Sequence, residues 1–266
     1  MHKTKLIHVI SAHAEGEVGD VIYKGVDPTP GDTIWDMRNW VASDDKLRRF
    51  MLNEPRGGVF RHVNLLVPPK NKNADAAFII MGPADTPPMS GSNTMCVATV
   101  LLEQGLVPMR QPYTNLILEV PAGLVKVSAR CENKKVKRVY IENVASFVDK
   151  RNVPLEVEGM GTLNVSTAYG GDSFVIVDSQ SLGISLTADE GRELVETGIR
   201  ITNAANEQLG FAHPQMPDWT HISFCQLAGP LEIINGIKQS KSAVAIQPGK
   251  LDRSHQQVQV AQPDWH

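Results

Sequence analysis

The strongest chemical signal in the sequence is the segment from residue 85 to residue 105, DTPPMSGSNTMCVATVLLEQG. Two prolines and a glycine predict a turn, Ser90, Ser92 and Asn93 can cap a helix, and an apolar helix follows. Backbone N–H groups at the start of a helix bind anions such as a carboxylate. Because ordinary capping produces the same spacing, the segment alone leaves open both an anion site and a purely structural cap.

Four other segments combine turn residues with polar side chains that could serve a site. The acidic and histidine side chains among them are suited to acid–base work or to binding an amine, but each segment is also typical of a solvated turn. The candidates are His13, Glu15 and Glu17 in residues 11–20, Arg56 in residues 53–58, Asp172 in residues 168–178, and Asp252 in residues 250–254.

The three cysteines, Cys96, Cys131 and Cys225, show neither a CxxC pair nor metal-ligand spacing. We therefore predict neither a disulfide framework nor a zinc site. Cys96 lies inside the predicted apolar helix, which favours a place in the core over a role as a nucleophile.

Composition restricts the class of protein. The 266 residues are 42% hydrophobic and 21% charged, and 26 basic against 29 acidic residues give a net charge of −3. This length predicts one large or two ordinary globular domains. The charge gives no broad basic field for nucleic acid, and no apolar run reaches the roughly 18 residues of a membrane span. Because the N-terminal residues lack a signal-peptide core, we expect a cytoplasmic location.

The elements that must position these residues are mainly strands. Apolar and β-branched runs predict strands at Leu6–Ser11, Val59–Val67, Ala76–Met81, Asn115–Val120, Leu124–Ala129, Val136–Glu142, Ser173–Val177, Ile222–Leu227 and Ala243–Ile246. Only two helices are predicted, Asn93–Glu103, closed by Gly105, and roughly Ala188–Gln208. This pattern favours an α+β fold. The polar stretch Asn143–Pro154 predicts a division into domains 1–145 and 146–254.

In combination, five short motifs resemble the proline racemase family, whose members act on proline and hydroxyprolines without a cofactor. The resemblance implies an α+β, diaminopimelate epimerase-like fold with two similar β-rich halves, each around a central helix, and an active site in the cleft between them. The motifs occur in order along the chain: His13, Gly16 and Glu17; Glu54–Gly57; Met89–Asn93; Gly170–Phe174; and Asp252–Ser254.

The resemblance also implies a reaction. Removal of the Cα proton of an amino acid requires a bound carboxylate and a positioned proton acceptor. Ser90 stands where the family's racemases have their first cysteine, which resembles the hydroxyproline-specific branch. The implied reaction is dehydration of trans-3-hydroxy-L-proline to Δ1-pyrroline-2-carboxylate: Ser90 accepts the proton, Gly91 and Ser92 bind the carboxylate, and Asp252 contacts the ring nitrogen.

Alternatives to this reaction stay open. They are 2-epimerisation of 4-hydroxyproline, which needs acid–base groups on both faces of the substrate, and an inactive gene product. No metal, pyridoxal phosphate or other cofactor is implied. The sequence identifies no neighbour that activates the Ser90 hydroxyl, although serine is a poor base without one. The expected partners are a small-molecule hydroxyproline and, as the candidate assembly, a second copy in a homodimer; nucleic acid and membrane are not expected.

After Ser254 the sequence departs from the family's pattern. The family continues with Pro, then Cys or Thr, then Gly-Thr, whereas this chain has His255, Gln256, Gln257 and Val258. Among the codon choices that encode this tail, some can spell Pro-Thr-Gly-Thr when they are read two bases later, while others give different residues. We therefore expect residues 255–266 to be an aberrant tail produced by a frameshift, the second catalytic segment to be missing, and folding and activity to be impaired.

Overall fold

Strands form most of the structure, a computed structural model that describes residues 6–83, 85–246 and 250–252. The chain divides between Ala145 and Ser146 into two units. Each unit contains its own β-sheet, and the described residues include four α-helices. The architecture is therefore mixed α+β and rich in strands. Within the described residues, no helix has the length and apolar character that crossing a membrane requires.

The first unit contains an eight-stranded sheet with the order β1-β3-β4-β5-β6-β7-β8, to which β2 adds by pairing with β3. The β3/β4 and β5/β6 pairs are parallel and the other pairs are antiparallel. The strands are β1 (His8–Ile10), β2 (His13–Ala14), β3 (Glu17–Lys24), β4 (Arg61–Val67), β5 (Ala76–Met81), β6 (Tyr113–Val120), β7 (Gly123–Glu132) and β8 (Lys135–Glu142).

Helices α1 (Ile34–Ser43), α2 (Lys46–Leu52) and α3 (Gly91–Glu103) complete this unit. Successive side chains of a strand point to opposite faces of a sheet, and β5 shows the result. Phe78 and Ile80 belong to the core cluster of α3, whereas Ile79 and Met81 belong to the cluster of α1 and α2. Both faces of β5 are therefore buried, which explains its almost continuous apolar sequence.

The second unit contains a six-stranded sheet with the order β16-β15-β12-β11-β10-β9 and a separate two-stranded hairpin, β13-β14. Helix α4 (Gly191–Gln208) packs on β12 and β15. The strands are β9 (Phe147–Val157), β10 (Gly161–Tyr169), β11 (Ser173–Asp178), β12 (Phe224–Ala228), β13 (Glu232–Ile234), β14 (Ile237–Gln239), β15 (Ser242–Ile246) and β16 (Lys250–Asp252).

The predicted helix at Asn93–Glu103 is confirmed as α3, which begins two residues earlier, and Gly105 follows it with φ +66°. The second predicted helix begins as a short 3-10 turn at Ala188–Glu190 and continues as α4. The expectation of only two helices was wrong, because the structure also contains α1 and α2, which the sequence did not predict. The polar stretch at 143–154 is not a linker throughout, since β9 begins at Phe147. The tail expected to be aberrant, residues 255–266, lies outside the described residues.

Candidate active site

Ser90 is the N-cap of α3, with an extended backbone at φ −147° and ψ 130°. Its Oγ accepts a hydrogen bond from Asn93 Nδ2 at 3.0 Å and a longer one from Asn93 N at 3.5 Å. Ser92 Oγ lies 3.2 Å from the same oxygen. The Ser90 carbonyl accepts from Thr94 N at 3.0 Å and from Thr94 Oγ1 at 2.7 Å. Ser90 is half-buried as a residue, and these hydrogen bonds hold its side chain at the start of the helix.

Two arginines of α1 and α2 hold the loop that leads to Ser90. Arg38 donates from Nε to the Thr86 carbonyl at 2.6 Å and pairs with Asp85 at 3.1 Å. Arg48 donates to the Pro83 carbonyl at 2.8 Å. Arg38 is itself buried, and a buried cation needs such oxygen partners. These contacts, together with two prolines, restrict the backbone conformation of the loop that leads into α3.

Gly91 begins α3 directly after the capping serine. A Cβ at this position would meet no heavy atom of the described residues within 4 Å. Open space beside the first turn of a helix lets a small anion approach the backbone N–H groups there. The geometry can therefore accept the carboxylate that the sequence assigned to Gly91 and Ser92.

A buried polar side chain of β4 supports the start of α3. Asn64 Nδ2 donates to Asn93 Oδ1 at 2.8 Å and to the Asp20 carbonyl at 3.3 Å. Both asparagine side chains are almost fully buried, with exposed fractions of 0% and 1%. Sequence reasoning did not select Asn64. The available signal was a polar residue within the apolar second half of the predicted strand, residues 63–67.

Charged residues surround Cys96 on the sheet side of α3. Asp20 Oδ2 lies 2.7 Å from Arg61 Nη1, and Glu17 Oε1 lies 2.9 Å from His62 Nδ1. Burial, and then the negative charges of Asp20 and Glu17, raises the pKa of the Cys96 thiol to about 12. A thiol with this pKa stays protonated at neutral pH, which agrees with the predicted core role of Cys96.

The N-terminal candidates separate into exposed and buried groups. His13 and Glu15 are exposed, and His13 Nδ1 accepts from Gly16 N at 3.3 Å, which stabilises the turn between β2 and β3. Glu17 is buried beside His62. Arg56 is exposed, donates to the Phe50 carbonyl at 2.8 Å and covers the Phe50 ring. The contacts of His13 and Arg56 thus support local turns.

The glycine pair and Asp172 of the second unit form the turn between β10 and β11. Asp172 is buried, and its Oδ1 accepts from Ser173 N at 2.7 Å. Ser173 Oγ in turn accepts from Trp219 Nε1 at 3.1 Å and donates to the His221 carbonyl at 2.7 Å. This motif therefore organises a buried polar cluster inside the second unit.

Asp252 closes β16, where its backbone pairs with Val244. Its side chain lies outside what the structure describes, as do Arg253, Ser254 and the residues that follow. The role predicted for Asp252 therefore stays a prediction.

A capped helix start with a serine hydroxyl, carried on a strand-rich α+β unit, defines a class of site suited to binding a carboxylate beside a proton acceptor. The Proline racemase family model matches residues 9–256. The chain belongs to the proline racemase family, whose members are isomerases or lyases.

Two solved structures are similar over nearly the whole chain. One is a hydroxyproline epimerase from Agrobacterium vitis with bound trans-4-hydroxy-L-proline, 35% identical with a TM-score of 0.88; the match covers 95% of this chain and 74% of that one. The other is a probable proline racemase from Agrobacterium radiobacter K84 with bound carbonate, 33% identical with a TM-score of 0.87; the match covers 93% of this chain and 73% of that one.

Proposed function

We propose that the protein removes the Cα proton of a hydroxyproline without a cofactor, and that Ser90 is the proton acceptor. The observation that carries the proposal is the Ser90 hydroxyl, capping α3 beside the open space at Gly91. A carboxylate bound at this helix start would bring the Cα proton towards the hydroxyl. Family membership and the similarity to a hydroxyproline epimerase support the substrate class.

The other roles follow from the same arrangement. Backbone N–H groups of Gly91 and Ser92 would hold the substrate carboxylate, whose charge the helix dipole also favours. Asp252 would contact the ring nitrogen, which is cationic in a free amino acid. This last role is supported by the intact Asp-Arg-Ser motif at Asp252–Ser254.

The first candidate reaction is dehydration of trans-3-hydroxy-L-proline. Ser90 takes the Cα proton, the C–H electron pair forms a Cα–C3 double bond, and the 3-hydroxyl leaves and is protonated to water. The resulting enamine tautomerises to Δ1-pyrroline-2-carboxylate. Serine in place of cysteine favours this candidate, because dehydration needs a base on one face of the substrate only.

The second candidate reaction is 2-epimerisation of 4-hydroxyproline, which the similarity to the Agrobacterium vitis epimerase with bound trans-4-hydroxy-L-proline favours equally. Epimerisation requires a proton donor on the face opposite the acceptor. In the family pattern this donor follows the Asp-Arg-Ser motif, where the present chain has His255 and Gln256. The frameshift interpretation of residues 255–266 therefore belongs to the same proposal.

Turnover of both substrates tests the proposal. Nuclear magnetic resonance in D2O would follow pyrroline-2-carboxylate formation from trans-3-hydroxy-L-proline and inversion or Cα deuteration of trans-4-hydroxy-L-proline. The protein would be assayed as it stands and with the reading frame restored after Ser254. Turnover by the restored form alone would support both the family chemistry and the frameshift. Turnover by the present chain would refute the need for the second segment.

Ser90→Ala supplies the test of the catalytic residue. We expect a loss of turnover of about a hundredfold to ten-thousandfold, the range that removal of an acid–base group typically costs. Thr99→Val is the matched control, because Thr99 lies in the same helix and its hydroxyl donates to the backbone carbonyl of Met95 at 2.8 Å. Turnover by Ser90→Ala at the rate of the control would contradict the assignment. Absence of turnover by every form would favour an inactive gene product.

A further inference from the structure

We infer that Asn93 is a positioning residue for Ser90: its side-chain amide donates to Ser90 Oγ and favours the ionised hydroxyl that accepts the Cα proton. The inference rests on the proposed function, because it explains how Ser90 can act as a base. In the step, Ser90 first loses its hydroxyl proton to solvent, which reaches this half-buried residue. The alkoxide then takes the Cα proton, and the hydroxyl is restored.

The hydrogen bonds fix which end of the Asn93 amide faces Ser90. The Asp20 backbone carbonyl can only accept, so Asn64 must present its NH2 group there at 3.3 Å. The same NH2 group lies 2.8 Å from Asn93, which must therefore offer Oδ1. Asn93 Nδ2 is consequently left to face Ser90 Oγ at 3.0 Å.

The reverse orientation is unfavourable for a specific reason. It would place Asn64 Oδ1 against the Asp20 carbonyl oxygen, two acceptors without a proton between them. The observed orientation leaves Asn64 Oδ1 without a hydrogen-bond partner among the described residues, so Asn64 gives up an acceptor bond while it donates twice. Asn64 therefore anchors a chain of two side-chain hydrogen bonds, from Asn64 to Asn93 and from Asn93 to Ser90, which we call the relay.

The relay contributes more to an ionised oxygen than to a neutral one. Hydrogen bonds to a charged acceptor are roughly twice as strong as neutral ones, and donors positioned in advance need no reorganisation when the charge develops. Ser90 Oγ already faces Asn93 Nδ2 and, at 3.5 Å, Asn93 N. Both donors come from the same residue at the positive end of α3.

The packing leaves room for this amide and for little else. A Cβ on Gly19 of β3 would lie 2.8 Å from Asn93 Oδ1 and 3.0 Å from Cys96 Sγ. The strand can therefore approach the start of α3 only because residue 19 has no side chain. Asn93 has an exposed fraction of 1% and contacts both Asn64 and Ser90 from this position.

Nearby charges also affect the ionisation of the Ser90 hydroxyl. Asp20 and Glu17 carry negative charge on the sheet side of α3 and oppose a second anion there. Each has a basic neighbour, Arg61 at 2.7 Å from Asp20 and His62 at 2.9 Å from Glu17. Because the Arg61 guanidinium offsets the negative charge of Asp20, the negative charge that opposes an anion at position 90 is reduced.

The test replaces the hydroxyl by a thiol whose ionisation can be measured. In Ser90→Cys, the pH dependence of alkylation by iodoacetamide reports the pKa of the introduced thiol. The three native cysteines are buried, with exposed fractions of 2%, 2% and 0%, so the introduced thiol reacts selectively. We expect its pKa to lie below the usual value of about 8.5, as for other cysteines at helix starts.

Asn93→Asp and Asn64→Leu are then added separately to Ser90→Cys. Because Asn93→Asp removes the amide donor and adds a negative charge beside the thiolate, we expect it to raise the pKa of the thiol by one unit or more. Asn64→Leu should raise the pKa of the thiol less, since the Asn93 side-chain amide is then free to flip between its two orientations. Thr99→Val, the control, should leave it unchanged. Asn93→Ser replaces Asn93→Asp if the latter does not fold, as judged by thermal unfolding.

An unchanged thiol pKa in the folded Asn93 variant would overturn the inference. A thiol pKa that changes in the Asn93 variant but not in Asn64→Leu would show that Asn64 does not orient Asn93. Turnover separates this result from the proposed function. A thiol that responds to Asn93 in a protein that turns over neither hydroxyproline, even with the reading frame restored and Ser90 intact, would refute the proposed function alone. Normal turnover with an unresponsive thiol would refute the role of Asn93 alone.

Discussion

The central helices of the two units begin in different ways. Helix α3 starts at Ser90, whose side chain caps it, and nine of its 13 residues are buried, including three polar residues in its first turn. Helix α4 starts after a 3-10 turn at Glu190 with no side-chain cap, and it buries a stripe made of Leu194, Thr197, Gly198, Ile201, Thr202 and Ala205. A helix buried on most sides must supply partners for its terminal polar groups.

The difference explains why the candidate chemistry lies at α3. An amphipathic helix such as α4 can leave its ends to solvent, so its start needs no special residues. The buried start of α3 requires a network of donors and acceptors, and the Asn64–Asn93–Ser90 relay meets this need. The same relay that stabilises the helix start can then orient a reactive oxygen.

Gly198→Ala is expected to have the largest effect on stability. The close approach of α4 to its sheet depends on Gly198, where a Cβ would collide with Cβ of Ala245 and lie 3.4 Å from Cβ of Cys225. Overpacking of this kind costs about 3 kcal/mol, measured as the free energy of unfolding in urea. Gly170→Ala is the control in the same unit, because a Cβ there would meet no heavy atom of the part of the chain that the structure describes within 4 Å. Equal stability of the two variants would contradict the close packing of α4.

Gly19→Ala is the corresponding change in the first unit, where the glycine lies on the strand rather than on the helix. The new methyl group would lie 2.8 Å from Asn93 Oδ1, and a side-chain amide can shift more easily than a backbone. We therefore expect a smaller loss of stability, about 1–2 kcal/mol. The pKa of a thiol introduced by Ser90→Cys should rise in this variant. A stable protein with an unchanged thiol would show that the strand does not confine Asn93.

The sequence predicted α3 but not α1, and the two helices show what limits such prediction. An apolar run with a capping serine and Gly105 identifies α3. Helix α1 has a capping box at Thr33 and Asp36, yet one position of its buried stripe is occupied by Arg38. A cation in that stripe masks the helical period, because its partners, Asp85 and Thr86, lie almost 50 residues further along the chain.

The candidate site shows the same limit. Ser90 and Asn93 were recognisable because capping depends on neighbours in the sequence. Asn64 was not, since its contact with Asn93 joins residues 29 positions apart and depends on the register of the parallel β3/β4 pair. The sequence identified no neighbour that activates Ser90, although Asn93, whose amide donates to the Ser90 oxygen, was already named as a capping residue.

The second unit should respond to mild acid through His213. Burial lowers the pKa of His213 from its ordinary value, and its Nδ1 accepts from the backbone N–H groups of Gln215 and Met216, both at 3.1 Å. Only the neutral ring can accept these bonds. The folded state disfavours protonation of His213, so the neutral ring contributes to the free energy of unfolding. This contribution is complete above the unfolded pKa of about 6.5 and is lost as pH falls through the lower pKa of the folded state.

Thermal unfolding between pH 7.5 and pH 5 tests this contribution. His213→Asn keeps an acceptor that can bond to the backbone two residues on but removes the titration. We expect the melting temperature of the unmodified protein to fall more steeply towards pH 5 than that of the variant. His13→Asn is the matched control, because His13 is exposed and also accepts a single backbone bond, from Gly16. Parallel curves for the unmodified protein and His213→Asn would contradict the prediction.

Gly91→Ala should have the smallest effect on stability. It distinguishes the structural role of the α3 helix start from its proposed role in binding the substrate carboxylate. Among the residues that the structure describes, no heavy atom lies within 4 Å of a Cβ built on Gly91. Because alanine restricts the unfolded chain more than glycine does, the free energy of unfolding should rise by up to about 1 kcal/mol. The methyl group would nevertheless occupy the space proposed for the substrate carboxylate, and turnover of hydroxyproline should fall through a raised KM. Gly19→Ala has the opposite signature, since it lowers stability. If Gly91→Ala is as active as the unmodified protein, the open space beside α3 does not bind the carboxylate.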